Sequence, residues 1–322
     1  MFDALSGSNT AWRDCSPSRS DAATSDLFVS SIEAGLRQAL GRQWKLTVAS
    51  EGSLPSLGTG QSSDGFLTIF SDDRNPGSFI LRFGQLAGFD ISILSQQICI
   101  VSTKDISSST LHHLLFDQVL PRILAHEGQL VLHSAGVEMG LGTVLFVGPS
   151  GCGKSTLAAS LHVSGSRLLG DDAFLISTQG ERWMCRPVYP SLRMFQDSVA
   201  GVFGGSADLS RVADYSDKWK VGGLTEQTAS KPIAIRVVFL LDPDPVSEIR
   251  VEHAEGAAAC MALVGQSFSI DPTNLATAKQ RLAQASALVG AVPTLRLCYP
   301  RDFAMLPAVG EAILEQLSDA GS

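Results

Sequence analysis

A glycine-rich segment carrying one lysine and one serine has the most specific chemistry in the sequence. Residues 148–155 read GPSGCGKS and fill every fixed position of the pattern G-x-x-x-x-G-K-[ST]. Glycines allow several backbone N–H groups to face one anion, Lys154 adds a cation for the β- and γ-phosphates, and Ser155 offers a hydroxyl to Mg²⁺. The predicted nucleotide-binding positions are Gly148, Ser150, Gly151, Cys152, Gly153, Lys154, Ser155 and Thr156.

Two adjacent carboxylates, Asp171 and Asp172, follow this segment closely. In an extended chain, neighbouring side chains point to opposite sides, so one carboxylate can face a metal ion and the other can face an acceptor. A phosphoryl-transfer site needs a carboxylate beside Mg²⁺, and a second one can take the proton of a substrate hydroxyl. A solvated Asp-Asp turn is the alternative, and the position just after the glycine-rich segment favours the functional interpretation.

Three further charged residues compete for roles at such a site. Asp242 ends an apolar run over residues 233–241 and is an alternative to Asp171 as the Mg²⁺-organising acid, although the prolines that follow make a rigid turn an equally good explanation. We favour Asp171. Arg193 and Lys218 are the candidates for a cation that neutralises γ-phosphate charge, and solvated charge is the commoner fate of such residues.

Three runs in order resemble the catalytic domain of HPr kinase/phosphorylase and the broader HPr-kinase-like serine kinases. They are LHSAGV at 132–137, GPSGCGKST at 148–156 and RLLGDDAFLI at 167–176. The resemblance implies a P-loop fold related to phosphoenolpyruvate carboxykinase, in which ATP and Mg²⁺ phosphorylate a seryl hydroxyl. It further implies that Ser155 and Asp171 serve the metal, that Asp172 is the general base, and that His133 lies at the catalytic centre with Lys154.

The resemblance extends more weakly through residues 189–194 and 299–302, and so covers most of residues 110–317. The glycine- and asparagine-bearing signature that HPr kinases carry after the catalytic core is not found in this sequence. HPr is therefore not implied as the acceptor. A nearer resemblance is to the HPr-kinase-like proteins that phosphorylate lasso-peptide precursors.

Hydrophobic periodicity predicts the elements that position these residues. The sequence predicts five strands between residues 44 and 103, which form an antiparallel meander or a small sheet. It also predicts a helix over 111–125 with a kink or break at Pro121 and with His112 and His113 exposed. A strand over 129–137 should carry His133. The other predicted elements are helices at 27–40, 153–162, 256–264, 275–288 and 305–317, and strands at 143–147, 233–241 and 295–299.

These elements predict an α/β protein with a P-loop kinase domain of the HPr kinase/phosphoenolpyruvate carboxykinase-like type and an N-terminal β-rich portion. We expect a disordered leader at 1–26, a β-rich domain at 27–108 and the catalytic domain at 109–318.

Composition restricts the partners. The chain has 322 residues, is 44% hydrophobic and carries a formal charge of −8, which argues against general affinity for nucleic acid or anionic lipid. Six cysteines are scattered without metal-ligand spacing, so reduced thiols are expected. With neither a signal peptide nor a membrane span in the sequence, we expect a cytoplasmic protein, and a homo-oligomer is compatible with the sequence.

The sequence therefore predicts an ATP- and Mg²⁺-dependent kinase acting on a serine of a peptide or protein. Two alternatives stay open. One is a small-molecule hydroxyl kinase of the same fold. The other is a non-catalytic nucleotide-dependent switch or binding protein.

Overall fold

The computed structural model divides the chain into two compact units, Met1–His112 and His113–Ser322. The residues that the structure describes are 22–49, 61–62, 65–71, 77–103, 106–140, 142–204, 207–223, 231–244 and 246–319.

In the described part of the first unit, the main elements are one long helix and one six-stranded sheet. Helix α1 packs against strand β1 and buries Ile32 and Leu36 completely. The elements are α1 (Ala22–Leu40), β1 (Lys45–Ala49), β2 (Gln61–Ser62), β3 (Leu67–Ser71), β4 (Ser78–Phe83), β5 (Ala87–Ser92) and β6 (Gln97–Ser102). In β4 the side chains alternate between buried and partly buried, as expected for a sheet with one face in a core.

Strand β2, which pairs antiparallel with β3, adds to the five predicted strands. The predicted meander is correct for β3 to β6, which pair antiparallel in sequence order. It is wrong for β1, which pairs with β6 in the parallel direction, from Lys45 with Gln97 to Ala49 with Val101. Alternating hydrophobicity reports which face of a strand is buried, whereas the partner and direction depend on long-range packing.

The first helix also begins earlier than expected. The predicted leader covers residues 1–26, but α1 starts at Ala22. Apolar spacing marks the residues of a helix that face a core, and it does not mark where the helix begins. Residues 1–21 of the predicted leader lie outside the described residues.

The second unit is a mixed α/β assembly that begins within the helical stretch around residue 113. The short helix α2 (Ser108–His113) lies almost entirely in the first unit and crosses the division at its last residue. The helical elements of the second unit are a π-helix (Leu114–Val119), α3 (Leu120–His126), α4 (Lys154–Val163), α5 (Gln196–Phe203), α6 (Gly256–Gly265), α7 (Leu275–Ala291), a 3-10 helix (Phe303–Met305) and α8 (Leu306–Asp319). Its strands are β7 (Leu130–Leu132), β8 (Ser134–Met139), β9 (Gly142–Val147), β10 (Arg167–Gly170), β11 (Phe174–Gln179), β12 (Arg182–Pro187), β13 (Arg193–Phe195), β14 (Leu209–Arg211), β15 (Lys218–Val221), β16 (Ile233–Leu241), β17 (Arg250–His253) and β18 (Thr294–Cys298).

A nine-stranded sheet forms the centre of this unit. Seven strands follow the order β10-β8-β9-β16-β12-β11-β7, and β18 lies beside both β16 and β17. Strands β9 and β18 both run parallel to β16. Every residue of β9 is buried, which matches the continuous apolar run of a strand covered on both faces.

Helices cover both faces of the sheet. One core joins Leu157 of α4 and Ile313 of α8 to Phe146 and Phe239, whose rings stack at 6.0 Å. The second core places α6 and α7 against the side chains that point the other way. Burial of each such leucine or phenylalanine side chain contributes about 1.5–3 kcal/mol to the stability of the fold. These two cores therefore fix the position of the C-terminal end of β9.

The helix predicted over residues 111–125 does not break at Pro121. The chain stays helical through Pro121, which lies in the first turn of α3. The irregularity comes earlier, as the π-helix Leu114–Val119. Proline lacks the backbone N–H that an interior helical position uses, and a place in the first turn of a new helical segment avoids that loss.

A single strand over residues 129–137 is also wrong. The chain forms β7, which pairs with β11, and then β8, which pairs with β9 and β10. His133 is the residue between them. The sequence shows one continuous apolar run because both short strands are buried, and only the pairing reveals the junction.

The third sheet is small and has the order β13-β15-β14, with all pairs antiparallel. It brings Arg193 of β13 opposite Lys220 of β15, and Phe195 opposite Lys218. The cation candidates named from the sequence, Arg193 and Lys218, therefore lie on one small sheet.

Four of the cysteines, Cys152, Cys185, Cys260 and Cys298, are buried free thiols. Cys99 in β6 is disulfide-bonded, so the expectation of reduced thiols throughout is wrong at this position. Scattered spacing in the sequence does not exclude proximity in the fold, which is what a disulfide requires.

No helix among the described residues is both long enough and apolar enough to cross a membrane.

Candidate functional site

The glycine-rich loop, residues 148–155, connects the end of β9 to the start of α4. The strand, loop and helix predicted from the sequence are confirmed here. A Cβ on Gly148 would lie 2.8 Å from Cys152 Sγ and 3.0 Å from the Leu241 carbonyl oxygen, so only glycine fits against β16. Gly151 and Gly153 have φ of +82° and +91°, a conformation that glycine adopts without Cβ strain.

Lys154 is buried and lies across the loop that precedes it. Its Nζ donates hydrogen bonds to the carbonyl oxygens of Gly148, at 2.7 Å, and Pro149, at 2.9 Å. Burial lowers the pKa of Lys154, while the negative charge of Asp172 acts in the opposite direction. The ammonium group is therefore held at the centre of the loop, within electrostatic reach of the aspartate pair.

The remaining predicted nucleotide-binding positions surround this lysine. Ser150 and Gly151 are exposed, Cys152 is buried, and Ser155 and Thr156 are partly buried in the first turn of α4. Exposed backbone at the tip of a loop followed by a helix N-terminus is the arrangement that binds anions through N–H groups.

Tyr299 and Arg301, from the C-terminal part of the chain, form a brace against the loop. The Arg301 guanidinium donates hydrogen bonds to the carbonyl oxygens of Cys152 and Asp242, and lies 4.5 Å from the centre of the Tyr299 ring. A Cβ on Gly153 would lie 2.6 Å from Tyr299 Oη and 2.7 Å from Arg301 Nη1. Neither residue was assigned a role from the sequence. The available signal was their position directly after the last predicted strand, which becomes β18 and runs parallel to β16.

The aspartate pair lies in a turn between β10 and β11. Asp171 is 1% exposed, and its Oδ2 accepts a hydrogen bond from the Arg193 backbone N–H at 3.0 Å. The Ser191 hydroxyl donates to Asp171 Oδ1 at 3.4 Å. Asp172 has φ of +71°, and its Oδ2 lies 2.5 Å from Arg193 Nη1.

This geometry corrects the expectation of two carboxylates on opposite sides of an extended chain. The left-handed conformation of Asp172 allows both carboxylates to contact Arg193. The Asp-Asp turn offered as the alternative is therefore present, but its carboxylates are paired with Arg193 rather than solvated.

The two carboxyl groups nevertheless differ electrostatically. Burial, and then the charge of Asp172, raise the pKa of Asp171. Burial acts in the same direction on Asp172, but the Arg193 guanidinium outweighs it together with smaller effects of His133 and Lys218, so the pKa of Asp172 falls well below its usual range. Asp172 is accordingly the carboxylate that stays ionised.

His133 contacts the same turn. Its Nδ1 lies 3.0 Å from the carbonyl oxygen of Asp172. A carbonyl oxygen only accepts, so this contact assigns the proton to Nδ1 and leaves the lone pair on Nε2. Burial and the charge of Lys154 lower the pKa of His133 to about 4, which makes the ring neutral at pH 7.

Arg193 joins the turn to the π-helix. Its Nη2 lies 2.7 Å from Asp117 Oδ2, and the same oxygen lies 2.7 Å from His113 Nδ1. His113 was expected to be exposed, but its side chain is only 14% exposed, because the π-helix directs Asp117 toward the site and His113 with it. Asp117 was not identified from the sequence, where the His-x-x-x-Asp spacing of His113 and Asp117 was the available signal.

Lys218 lies near the same groups. Its Nζ is 5.5 Å from the centre of the Phe195 ring, and its positive charge acts on His133, Lys154 and both aspartates. Of the two cation candidates, Arg193 is held between carboxylates, whereas Lys218 rests on an aromatic ring.

Asp242, the competitor of Asp171, is engaged elsewhere. Its Oδ2 accepts from Arg296 Nε at 2.9 Å, and its Oδ1 accepts from the Asp244 backbone N–H at 3.0 Å. Asp242 therefore behaves as the turn residue that the sequence offered as its alternative role.

The donor set bears on which metal could bind. No group of three or more His, Cys, Asp or Glu residues in the described ranges could hold a metal ion. Mg²⁺ commonly takes only one or two protein ligands and keeps water and phosphate oxygens as the rest, so one hydroxyl from Ser155 and one carboxylate fit it.

Comparisons with known proteins assign no family. No family model matches the chain, and no curated protein matches it. Among solved structures, the HPr(Ser) kinase/phosphatase from Coxiella burnetii is similar with a TM-score of 0.31 and 10% sequence identity, over 58% of this chain and 97% of that one. A likeness this distant carries no weight for the site, and membership of the HPr-kinase-like family stays a prediction.

Proposed function

We propose that this protein is an ATP- and Mg²⁺-dependent kinase that transfers the γ-phosphate to a serine hydroxyl of a peptide or protein. The observation that carries the proposal is the meeting of two parts at one edge of the central sheet. One is a glycine-rich loop with a buried lysine, and the other is an ionised aspartate bonded through its backbone to a neutral histidine.

The loop supports the nucleotide half of the proposal. Backbone N–H groups around Gly151 and the start of α4 would face the phosphates, and Lys154 would exchange its two carbonyl acceptors for phosphate oxygens. Ser155 and Asp171 would hold Mg²⁺. When bound, that ion neutralises charge on the β- and γ-phosphate oxygens.

The aspartate turn supports the transfer half. The acceptor hydroxyl oxygen would form a bond to the γ-phosphorus while the bond to the β,γ-bridging oxygen breaks and ADP leaves. The hydroxyl proton would pass to the Asp172 carboxylate. Arg193 keeps that carboxylate ionised, and the lone pair of His133 Nε2 would supply a second acceptor beside the turn.

The test uses the full-length protein, γ-labelled ATP and Mg²⁺ with a panel of serine-containing peptides, candidate proteins and small hydroxyl compounds. We expect label on a peptide or protein serine, lost in Lys154→Ala through weaker nucleotide binding and in Asp172→Asn through slower turnover. Label on a small molecule alone would replace the proposal by a small-molecule kinase. Nucleotide binding without transfer to any acceptor would replace it by a nucleotide-dependent switch.

A further inference from the structure

Three charged side chains, Asp117, Arg193 and Asp172, are joined by two consecutive ion pairs at the site. Arg193 Nη2 lies 2.7 Å from Asp117 Oδ2, and Arg193 Nη1 lies 2.5 Å from Asp172 Oδ2. The side chains of Asp117 and Arg193 are each 4% exposed. Buried charges are costly unless they are paired, so each member of the chain restricts where the next can lie.

Asp117 is fixed by the element that carries it. It belongs to the π-helix, a type of turn that commonly occurs at functional sites, and five of the six residues of this segment are buried. The neighbouring Phe116 ring lies 4.9 Å from the Tyr189 ring, and His113 Nδ1 contacts the same Asp117 oxygen as Arg193. The carboxylate is therefore a rigid anchor.

Arg193 restrains the aspartate turn through two contacts. Its guanidinium binds the Asp172 carboxylate, and its backbone N–H binds the Asp171 carboxylate. Asp172 holds the left-handed conformation with φ of +71°, which few non-glycine residues adopt. In that conformation its carbonyl oxygen meets His133 Nδ1.

We propose that Asp117 is a positioning residue. It fixes Arg193, and Arg193 holds Asp172 in the conformation that orients both its own carboxylate and the ring of His133. The expected effect of Asp117 on phosphoryl transfer rests on the function proposed above, whereas its expected effect on the conformation of Asp172 and His133 does not.

The geometric arm reads the tautomer of His133 directly by ¹⁵N NMR of the histidine side chains in the full-length protein. The sequence has six histidines, and His133→Gln identifies the signals of interest. We expect wild-type His133 to be protonated at Nδ1 and Asp117→Asn to give a mixture of tautomers. The matched control is Gln118→Ala, which removes a hydrogen-bond partner of Arg122 from the same π-helix and should leave His133 unchanged.

An unchanged His133 in folded Asp117→Asn would overturn the proposal. Should that variant fail to fold, Arg193→Lys serves instead, because lysine keeps the charge but cannot bridge two carboxylates with a fixed fork. The same mixture of tautomers is expected in Arg193→Lys, and an unchanged His133 there would again overturn it.

The catalytic arm is a double-mutant cycle in the transfer assay. Asp117→Asn should lower kcat about tenfold or more while the KM for ATP changes by less than about twofold. In the Asp172→Asn background the same change should have an effect of less than about twofold, because both substitutions act through one group. Equal losses in both backgrounds would indicate a purely structural role and overturn the proposal. If the wild-type chain transfers phosphate to no acceptor, the proposed function fails, and the NMR arm still decides the positioning role.

Discussion

Asp171 and Asp172 are neighbours in the chain, but their environments separate their protonation behaviour. Asp171 is 1% exposed and accepts hydrogen bonds from the Arg193 backbone N–H and the Ser191 hydroxyl, and burial raises its pKa. Asp172 contacts a guanidinium, and its pKa falls. Titratable groups whose environments push their pKa values apart are typical of acid–base sites, which favours distinct roles for the two residues.

The first prediction separates Asp172 from its competitor at the end of β16. Asp172→Asn keeps the shape of the side chain but removes the proton acceptor, so kcat should fall by roughly 10²–10⁴ with little change in nucleotide affinity. Asp242→Asn should leave kcat and nucleotide affinity nearly unchanged, because the Asp242 carboxylate is paired with Arg296. The assay is transfer from γ-labelled ATP, together with nucleotide binding by titration. Loss of Mg²⁺-ATP binding only in Asp242→Asn would contradict the assignment of Asp171 and Asp172.

The second prediction concerns the stability that His133 contributes as a function of pH. Its pKa falls from 6.5 to about 4 on folding, so between these values the unfolded chain binds a proton that the folded chain does not. The folded state therefore loses stability as the pH drops from about 6.5 toward about 4, by on the order of 1–2 kcal/mol after allowance for partial solvation of the ring.

The measurement compares the unfolding temperature at pH 7 and pH 4.5 for wild type, His133→Gln and His253→Gln. His253 is exposed in β17, so its variant should keep the wild-type pH dependence. His133→Gln should show a smaller drop in unfolding temperature between the two pH values. An identical drop in all three proteins would show that His133 titrates in the folded chain as it does in the unfolded one.

At the scale of elements, the glycine-rich loop depends on a contact between segments that are distant in sequence. Gly153 ends the loop with φ of +91°, and the space where a Cβ would lie is taken by Tyr299 and Arg301 after β18. The absence of a side chain at Gly153 leaves room for Arg301, and Arg301 in turn donates a hydrogen bond to the carbonyl oxygen of Cys152 in the loop.

The third prediction compares two glycines at opposite ends of α4. Gly153→Ala should lose roughly 1–2 kcal/mol from backbone strain and should also weaken nucleotide binding at least about tenfold, because its Cβ displaces the brace. Gly165→Ala, with φ of +104° and open space around its Cβ position, should show the strain in its unfolding temperature alone. Calorimetric titration with Mg²⁺-ATP gives the affinities, and equal affinities for both variants would remove the brace from nucleotide binding.

At the scale of the whole molecule, local patterns predicted the elements better than their pairing. The loop with Lys154, strand β16 and helix α7 have strong local signals, namely a spaced motif, a continuous apolar run and a helical periodicity. His133 at a strand junction, the parallel partner of β1 and the anchor Asp117 depend on long-range packing or on a π-turn. A helical period of 3.6 residues cannot represent a π-turn. The structure thus brings together Lys154, Asp172 and His133, which the sequence singled out, whereas the contacts that support them have no local signal. Their role as an active site stays a prediction.

The last prediction follows from the division of the chain into two units with separate cores. Phe146 in β9 and Phe89 in β5 are both fully buried, one in each unit. Truncation of either to alanine should cost about 3–5 kcal/mol in its own unit. A ligand stabilises only the folded state that binds it. Mg²⁺-ATP should therefore raise the temperature of the unfolding transition that Phe146→Ala lowers, and it should not change the temperature of the transition that Phe89→Ala lowers. Calorimetric scans of both variants with and without nucleotide test this. A nucleotide-induced shift of the transition sensitive to Phe89→Ala would mean that the first unit takes part in binding, because a unit that does not bind the ligand is not stabilised by it.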